Sequence, residues 1–237
     1  MLVGKNLSKF FNKKNVVKDI SISVNTGEII GILGPNGAGK TTSFLMLAGV
    51  IKPCQGEVLL NGENITHLSL SSRARKGIGY LPQDTSVFQG MSVSDNILTA
   101  LEIVEHNLGK RLRKLEKILE EFSISHLRHS KSISLSGGER RKLELARCFA
   151  ISPTYLLLDE PFAGIDPISI NSIVTLIRYL SSKGIGILIT DHNVKEALEV
   201  IDKAYVIFNG KVIAFANKEE ISQNQQVKKI YLGNNFF

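Results

Sequence analysis

Glu28-Ile29-Ile30-Gly31-Ile32-Leu33-Gly34-Pro35-Asn36-Gly37-Ala38-Gly39-Lys40-Thr41-Thr42 runs from a continuous apolar stretch into a glycine-rich turn that ends in Lys-Thr. The turn fits the spacing G-x-x-x-x-G-K-[ST], and Phe44, Leu45, Met46, Leu47 and Ala48 follow it. This is the strand, loop and helix context that a phosphate-binding P-loop requires. Glycines at 34, 37 and 39 let the backbone curl until successive N–H groups point at phosphate oxygens, and the start of the next helix adds a favourable dipole. Lys40 is placed to reach the β- and γ-phosphates of a nucleotide, and the Thr41 hydroxyl to ligate Mg²⁺. Pro35, Asn36, Ala38 and Thr42 complete the cradle. The competing reading, a glycine turn ahead of an ordinary core helix, is disfavoured because strand, spacing, Lys and Thr all agree.

A second apolar strand ends in acid: Tyr155-Leu156-Leu157-Leu158-Asp159-Glu160. Asp159 at the end of a buried strand suits a carboxylate that holds Mg²⁺ directly or through water. Glu160, one residue on, is a separate carboxylate suited to orient and deprotonate an attacking water. A third strand, 186–190, runs into Asp191-His192-Asn193 and puts His192 on the same rim, able to donate to a phosphate oxygen. Gln83 ends the strand 78–81 after Pro82, and its amide can touch Mg²⁺ or the lytic water. His67, His106, His126 and His129 have no comparable setting.

Leu135-Ser136-Gly137-Gly138-Glu139 precedes a basic helix over 140–150. Ser and Gly at a helix start form a further anion site. The spacing from Ser136 to Glu139 also fits an S-x-x-E capping box, and the two readings are compatible.

The 237 residues are enough for one large domain with its own core, and 43% apolar with 22% charged residues is ordinary for a globular protein. Strands are expected at 2–7, 20–24, 29–33 and 57–60, and a helical region over 93–151, with Leu112, Leu115, Ile118, Leu119 and Phe122 as one packing stripe. The β/α alternation then resumes through helices at 169–180 and 195–201 and a hairpin across Asn209-Gly210. The expected fold is therefore α/β: a P-loop NTPase core of mostly parallel sheet, an antiparallel β subdomain and an inserted α-helical subdomain. Its boundaries fall at about 1–83 and 152–216 for the core, about 84–151 for the insertion and about 217–237 for a helical tail.

No stretch approaches the ~18 consecutive apolar residues of a membrane span. The opening Met1-Leu2-Val3-Gly4-Lys5 lacks a signal-peptide core, and a cytosolic protein is expected. Cys54 and Cys148 have neither C-x-x-C spacing nor a neighbouring His cluster, and they read as small apolar fillers. The net charge of +7 is scattered over Lys13-Lys14, 73–76, 110–117, 140–142 and Lys228-Lys229 without interleaved aromatics, so it reads as solvated surface.

Taken in order, the P-loop, Gln83, Leu135-Ser136-Gly137-Gly138-Glu139, the acidic strand, Gly164-Ile165-Asp166 and His192 resemble the ATP-binding cassette (ABC) family of ATPases over essentially the whole chain. The resemblance implies ATP and Mg²⁺ as cofactors and a head-to-tail homodimer. In it, Ser136, Gly137 and Gly138 of one copy clamp the γ-phosphate held by the other. It also implies that Phe11 stacks on adenine, where the family usually has Tyr. The loop Ala163-Gly164-Ile165-Asp166 departs from the commoner Ser-Ala-Leu-Asp.

Within that family, 77–83, 135–141, 159–169, 190–194 and the tail 227–233 look like the ATPases of lipopolysaccharide export, with branched-chain amino-acid importers second. This narrower resemblance implies two integral membrane subunits, docked on a groove whose wall opens at Asp84, closes at Met91 and has Phe88 at its centre. The location it implies is peripheral, on the cytoplasmic face of the inner membrane, with no contact to cargo or nucleic acid. A non-transport cassette acting on DNA or ribosomes is a weaker reading, since there is one cassette and no long heptad segment. A P-loop kinase or GTPase would share only the phosphate cradle.

Overall fold

The computed structural model describes residues 1–12, 14–192, 194–224 and 227. Its strands are β1 Leu2–Phe11, β2 Lys14–Val24, β3 Ile29–Leu33, β4 Gln55–Leu60, β5 Glu63–Asn64, β6 Ile78–Leu81, β7 Tyr155–Asp159, β8 Gly186–Thr190, β9 Lys203–Phe208 and β10 Lys211–Asn217. The helices are α1 Lys40–Ala48, α2 Leu70–Arg75, α3 Val93–Val104, α4 Leu108–Glu121, α5 Gly137–Ala150, α6 Pro167–Ser182, α7 Val194–Val200 and α8 Lys218–Gln223.

Two sheets divide the strands. The first, in the order β2-β1-β4-β5, is antiparallel. On β2 the alternation is clear: Ile20, Ile22 and Val24 are buried while Ser21 is exposed. The second runs β10-β9-β3-β8-β7-β6 and is parallel except for β10, which pairs antiparallel with β9. Strands β3, β7 and β8 are buried at every residue, as parallel strands covered on both faces must be, and this explains their uninterrupted apolar sequences. One core lies between the sheets around Phe44 and Met46 of α1, and the other joins the parallel sheet to α3, α4, α5 and α6. Helices α3, α4 and α5 all fall between β6 and β7.

Because β3, β6, β7 and β8 are parallel, their carboxyl ends share one edge. The P-loop, Gln83, the Asp159-Glu160 pair and His192 follow those four ends and are thereby gathered at one rim.

Several local expectations change. Strand β1 extends to Phe11 rather than ending near Leu7, because register shifts between Gly4 and Leu7 and between Leu7 and Lys9 interrupt the period-two pattern. Leu112 is 44% exposed, while Leu115, Ile118, Leu119 and Phe122 of the same stripe are buried. Cys54 is exposed and fills no core.

The basic clusters are not wholly solvated either. Arg73 is 1% exposed, and its guanidinium donates to the carbonyls of Met46 (2.8 Å) and Leu47 (2.6 Å), which end α1, and to those of Thr66 and Leu68. It satisfies carbonyls that a helix terminus leaves without partners, and burial lowers its pKa to about 10. Lys13, Asn193 and the tail match beyond Val227 lie outside the described residues.

Candidate active site

The P-loop is glycine-rich for reasons that the packing makes explicit. A Cβ on Gly34 would sit 2.2 Å from the Ile207 carbonyl oxygen on β9. Gly39, with φ +106°, would put one 2.8 Å from the Val16 carbonyl oxygen on β2. The loop is pressed between two strands that come from different sheets. A cavity of about 150 Å³ remains beside it, lined by residues 36–42, by Val16 and by Glu160. Thr41 is exposed there and Thr42 half-buried.

Lys40, 7% exposed, donates from Nζ to the carbonyls of Gly34 (2.6 Å) and Pro35 (3.1 Å), so the loop folds around its own ammonium group. Burial lowers the Lys40 pKa, while Glu160, Asp191 and Asp159 pull it back up.

Asp159 ends β7 at 4% exposure and accepts a 2.5 Å hydrogen bond from the Thr190 hydroxyl on β8. Burial pushes its carboxyl above the ordinary range and Glu160 adds to this, whereas the Thr190 hydrogen bond, Arg141 and Lys40 act the other way. A carboxyl with a raised folded-state pKa favours folding most when protonated. Its ionisation costs stability as pH rises through the carboxylate range. Asp159→Asn is therefore expected to raise the melting temperature of the nucleotide-free protein at neutral pH. That advantage should shrink as pH falls towards 4, the ordinary carboxyl value being about 3.9; an unchanged or lower melting temperature at pH 7 would contradict the sign.

Glu160 is the meeting point of the rim. It adopts φ +48°, and its backbone N–H donates to the Thr190 carbonyl at 2.8 Å. Its Oε2 accepts from Gln83 Nε2 at 2.8 Å and lies 3.1 Å from His192 Nδ1. Two residues read separately from the sequence, Gln83 and His192, thus converge on one carboxylate oxygen of a third.

Arg141 supports this point and sequence reasoning missed it, since it lies in a basic run taken for surface. It is 4% exposed on α5. Its guanidinium donates to the carbonyls of Glu160 (2.7 Å) and Pro161 (2.9 Å) and pairs with Glu144 Oε2 at 2.9 Å. Glu144 accepts in turn from the Ser86 backbone N–H at 2.9 Å, just beyond Gln83. The spacing Arg141-x-x-Glu144 is the one local signal, an i,i+3 pair of opposite charge in which Glu144 stands between the apolar Leu143 and Leu145.

Ser136 caps α5 through a full capping box: its hydroxyl accepts from the Glu139 N–H, while its own N–H and hydroxyl donate to Glu139 Oε2 at 2.9 and 2.8 Å. A Cβ on Gly137 would meet the Gly164 carbonyl oxygen at 2.8 Å, and one on Gly138 would meet Ser169 Cβ at 2.6 Å. None of Ser136, Gly137 and Gly138 lines the P-loop cavity. Phe11, 46% exposed, ends β1, with Lys9 Nζ 5.4 Å from its ring centroid. On another face, a groove of about 350 Å³ is walled by Tyr80, Phe88, Ile103, Arg147 and Cys148 among others, with Arg147 over the Phe88 ring.

Residues 17–163, well over half the chain, match the family model described as ABC transporter. This chain belongs to the ABC transporter ATPase family. The cassette is 50% identical over 235 residues to an uncharacterized ABC transporter ATP-binding protein of Rhizobium meliloti (strain 1021), covering 99% of this chain and 87% of that one. It is 46% identical over 237 residues to the lipopolysaccharide export system ATP-binding protein LptB of Haemophilus influenzae, covering 100% of this chain and 98% of the relative. The LptB of Escherichia coli (strain K12) is 48% identical, with 99% and 98% covered. Among solved structures, the ADP conformation of MJ1267, an ATP-binding cassette of an ABC transporter, superposes with TM-score 0.88 at 30% identity, with 99% of each chain covered. The cassette is thus an ATP-binding, ATP-hydrolysing transporter component. No helix among the described residues is long and apolar enough to cross a membrane.

Proposed function

We propose that this cassette is the ATPase of a lipopolysaccharide export transporter, working as a homodimer against two membrane-embedded subunits. The observation that carries the hydrolytic reading is the convergence of Gln83 and His192 on Glu160 Oε2, at 2.8 and 3.1 Å, beside the P-loop cavity. The cargo follows from LptB relatives that match end to end.

In this reading Lys40 exchanges its two carbonyl partners for β- and γ-phosphate oxygens, and the loop N–H groups of 36–42 hold the rest of the phosphate chain. Phe11 presents its ring face to adenine. The exposed Thr41 hydroxyl, the Asp159 carboxylate and the Gln83 amide oxygen form a hard-oxygen donor set that fits Mg²⁺, with Asp159 already desolvated at the rim. An ion held by these residues would supply positive charge against the negative charge of the phosphates. Glu160 takes the proton of the attacking water once Gln83 and His192 release it, and His192 donates to the γ-phosphate.

Ser136, Gly137 and Gly138 act on the nucleotide of the partner copy, because their own P-loop cavity does not include them. Ser136→Ala is expected to leave ATP affinity of the isolated monomer unchanged and to lower turnover roughly 100-fold, the cost of one lost donor to a developing charge. Loss of the helix cap alone would lower the melting temperature without that drop in rate. An equal loss of monomer binding would contradict the in-trans role.

The groove beside Phe88 receives the membrane subunits, and segment 84–91 relays closure from Gln83 to them. The cassette then sits peripherally on the cytoplasmic face of the inner membrane, with cargo handled by its partners and no role for nucleic acid. Purification of the tagged chain from membranes tests this reading. Two integral membrane subunits and lipopolysaccharide-stimulated turnover are expected, and recovery of an importer's subunits would overturn it.

A further inference from the structure

The α3–α4 hairpin extends past the core that its own inner half helps to build. On α4, Leu115 and Leu119 are buried, yet Leu108 and Leu112, which continue the same stripe towards the helix start, are 61% and 44% exposed. On α3, Ile97 and Leu101 are buried while Ile103 and Val104 are 67% and 42% exposed. Ion pairs of Arg111 with Glu102 and of Lys114 with Glu105 bind the end of α3 to the first turns of α4. The four exposed apolar side chains are therefore gathered at one end of the hairpin. Those pairs neutralise two of the local cations. Among the described residues Lys110 and Arg113 form no ion pair, and they stand exposed on the side of α4 turned away from Leu108 and Leu112. Ile103 also lines the Phe88 groove, so the patch continues directly from it.

We propose that this overhanging end rests on the anionic surface of the lipid bilayer beside the docked membrane subunits, an orientation that relies on the proposed occupancy of the Phe88 groove. The chemistry suits that surface: a short amphipathic segment with Leu, Ile and Val on one side and Lys and Arg on the other enters the headgroup boundary without spanning it. Lys110 and Arg113, on the polar side, pair with lipid phosphates at the headgroup level.

The test is flotation of the full-length protein with vesicles of equal parts phosphatidylcholine and phosphatidylglycerol, against phosphatidylcholine alone. Binding to the anionic vesicles only, weakened by salt, is expected. Lys110→Gln with Arg113→Gln should lower partitioning roughly 30-fold, from about a fivefold contribution per basic residue. Leu108→Ser with Leu112→Ser should abolish the part that survives high salt. All four positions are exposed, so melting temperature and turnover of the free protein should stay unchanged, which excludes misfolding. Wild-type protein that fails to float, or variants that float equally well, would overturn the proposal. So would variants that lose the membrane subunits in detergent, where no bilayer remains, since the patch would then be a protein contact. Failure of the chain to copurify with any membrane subunit, with flotation intact, would count against the transporter reading instead.

Discussion

Replacing Glu160 by Gln is expected to slow ATP hydrolysis about 10²–10⁴-fold while leaving nucleotide binding intact, the range for loss of a positioned base. The substitution keeps shape and an acceptor oxygen, so the hydrogen bond from Gln83 at 2.8 Å survives, and the backbone N–H to Thr190 is untouched. What is lost is the capacity to take a proton. ATP-loaded cassettes should then accumulate as dimers, because closure precedes the blocked step. Phosphate release under saturating ATP gives the rate, and size-exclusion chromatography with and without Mg²⁺-ATP gives the oligomeric state. Turnover within a few-fold of wild type would remove Glu160 from the base role. A monomer that binds ATP and never dimerises would instead count against the two-copy site.

The second large effect is expected at Arg141, through stability as well as rate. Arg141→Met leaves Glu144, 4% exposed, as an uncompensated buried carboxylate and takes donors from the carbonyls of Glu160 and Pro161. Breaking one partner of a buried pair costs about 3–5 kcal/mol, whereas replacing both by apolar residues is often close to neutral. Arg141→Met alone should therefore be strongly destabilised in urea unfolding, and Arg141→Met with Glu144→Met should recover most of that loss. Turnover should remain low in the double variant. Glu160 holds its left-handed backbone, φ +48°, against a carbonyl that Arg141 no longer anchors. A cost below about 1 kcal/mol would mean that the pair behaves like a solvated surface bridge. Full turnover in the double variant would mean that Arg141 does not position the base.

These two residues differ in how visible they are in the sequence. Glu160 stands out because a buried strand runs straight into it, and β3, β6, β7 and β8 all show their apolar character in consecutive residues. The P-loop is legible for the same reason, since its strand, turn and helix are neighbours in the chain. The capping box at Ser136 and Glu139 is equally local, and both of its hydrogen bonds are present. Arg141 and Arg73 carry no such mark. Each sits in a run of basic residues that reads as solvated surface, and each becomes buried only because another element covers it. The bulged β1 and the exposed Leu112 escape for related reasons: one breaks the period on which strand reading depends, and the other keeps a core pattern beyond the end of the core.

The sequence by itself determined the chemistry available to this protein: a phosphate cradle, an acidic strand end, a His and a Gln at strand ends, and a serine-glycine helix start. Those features depend on spacing within a few residues, where covalent geometry and local hydrogen bonding dominate. Only the tertiary structure decided which groups meet and which charges lose water. Strand order brings Gln83 and His192 to one oxygen of Glu160, and the packing of α5 turns Arg141 from a surface cation into the anchor of that carboxylate's backbone. Desolvation is set by elements distant in the chain, so no local pattern encodes it.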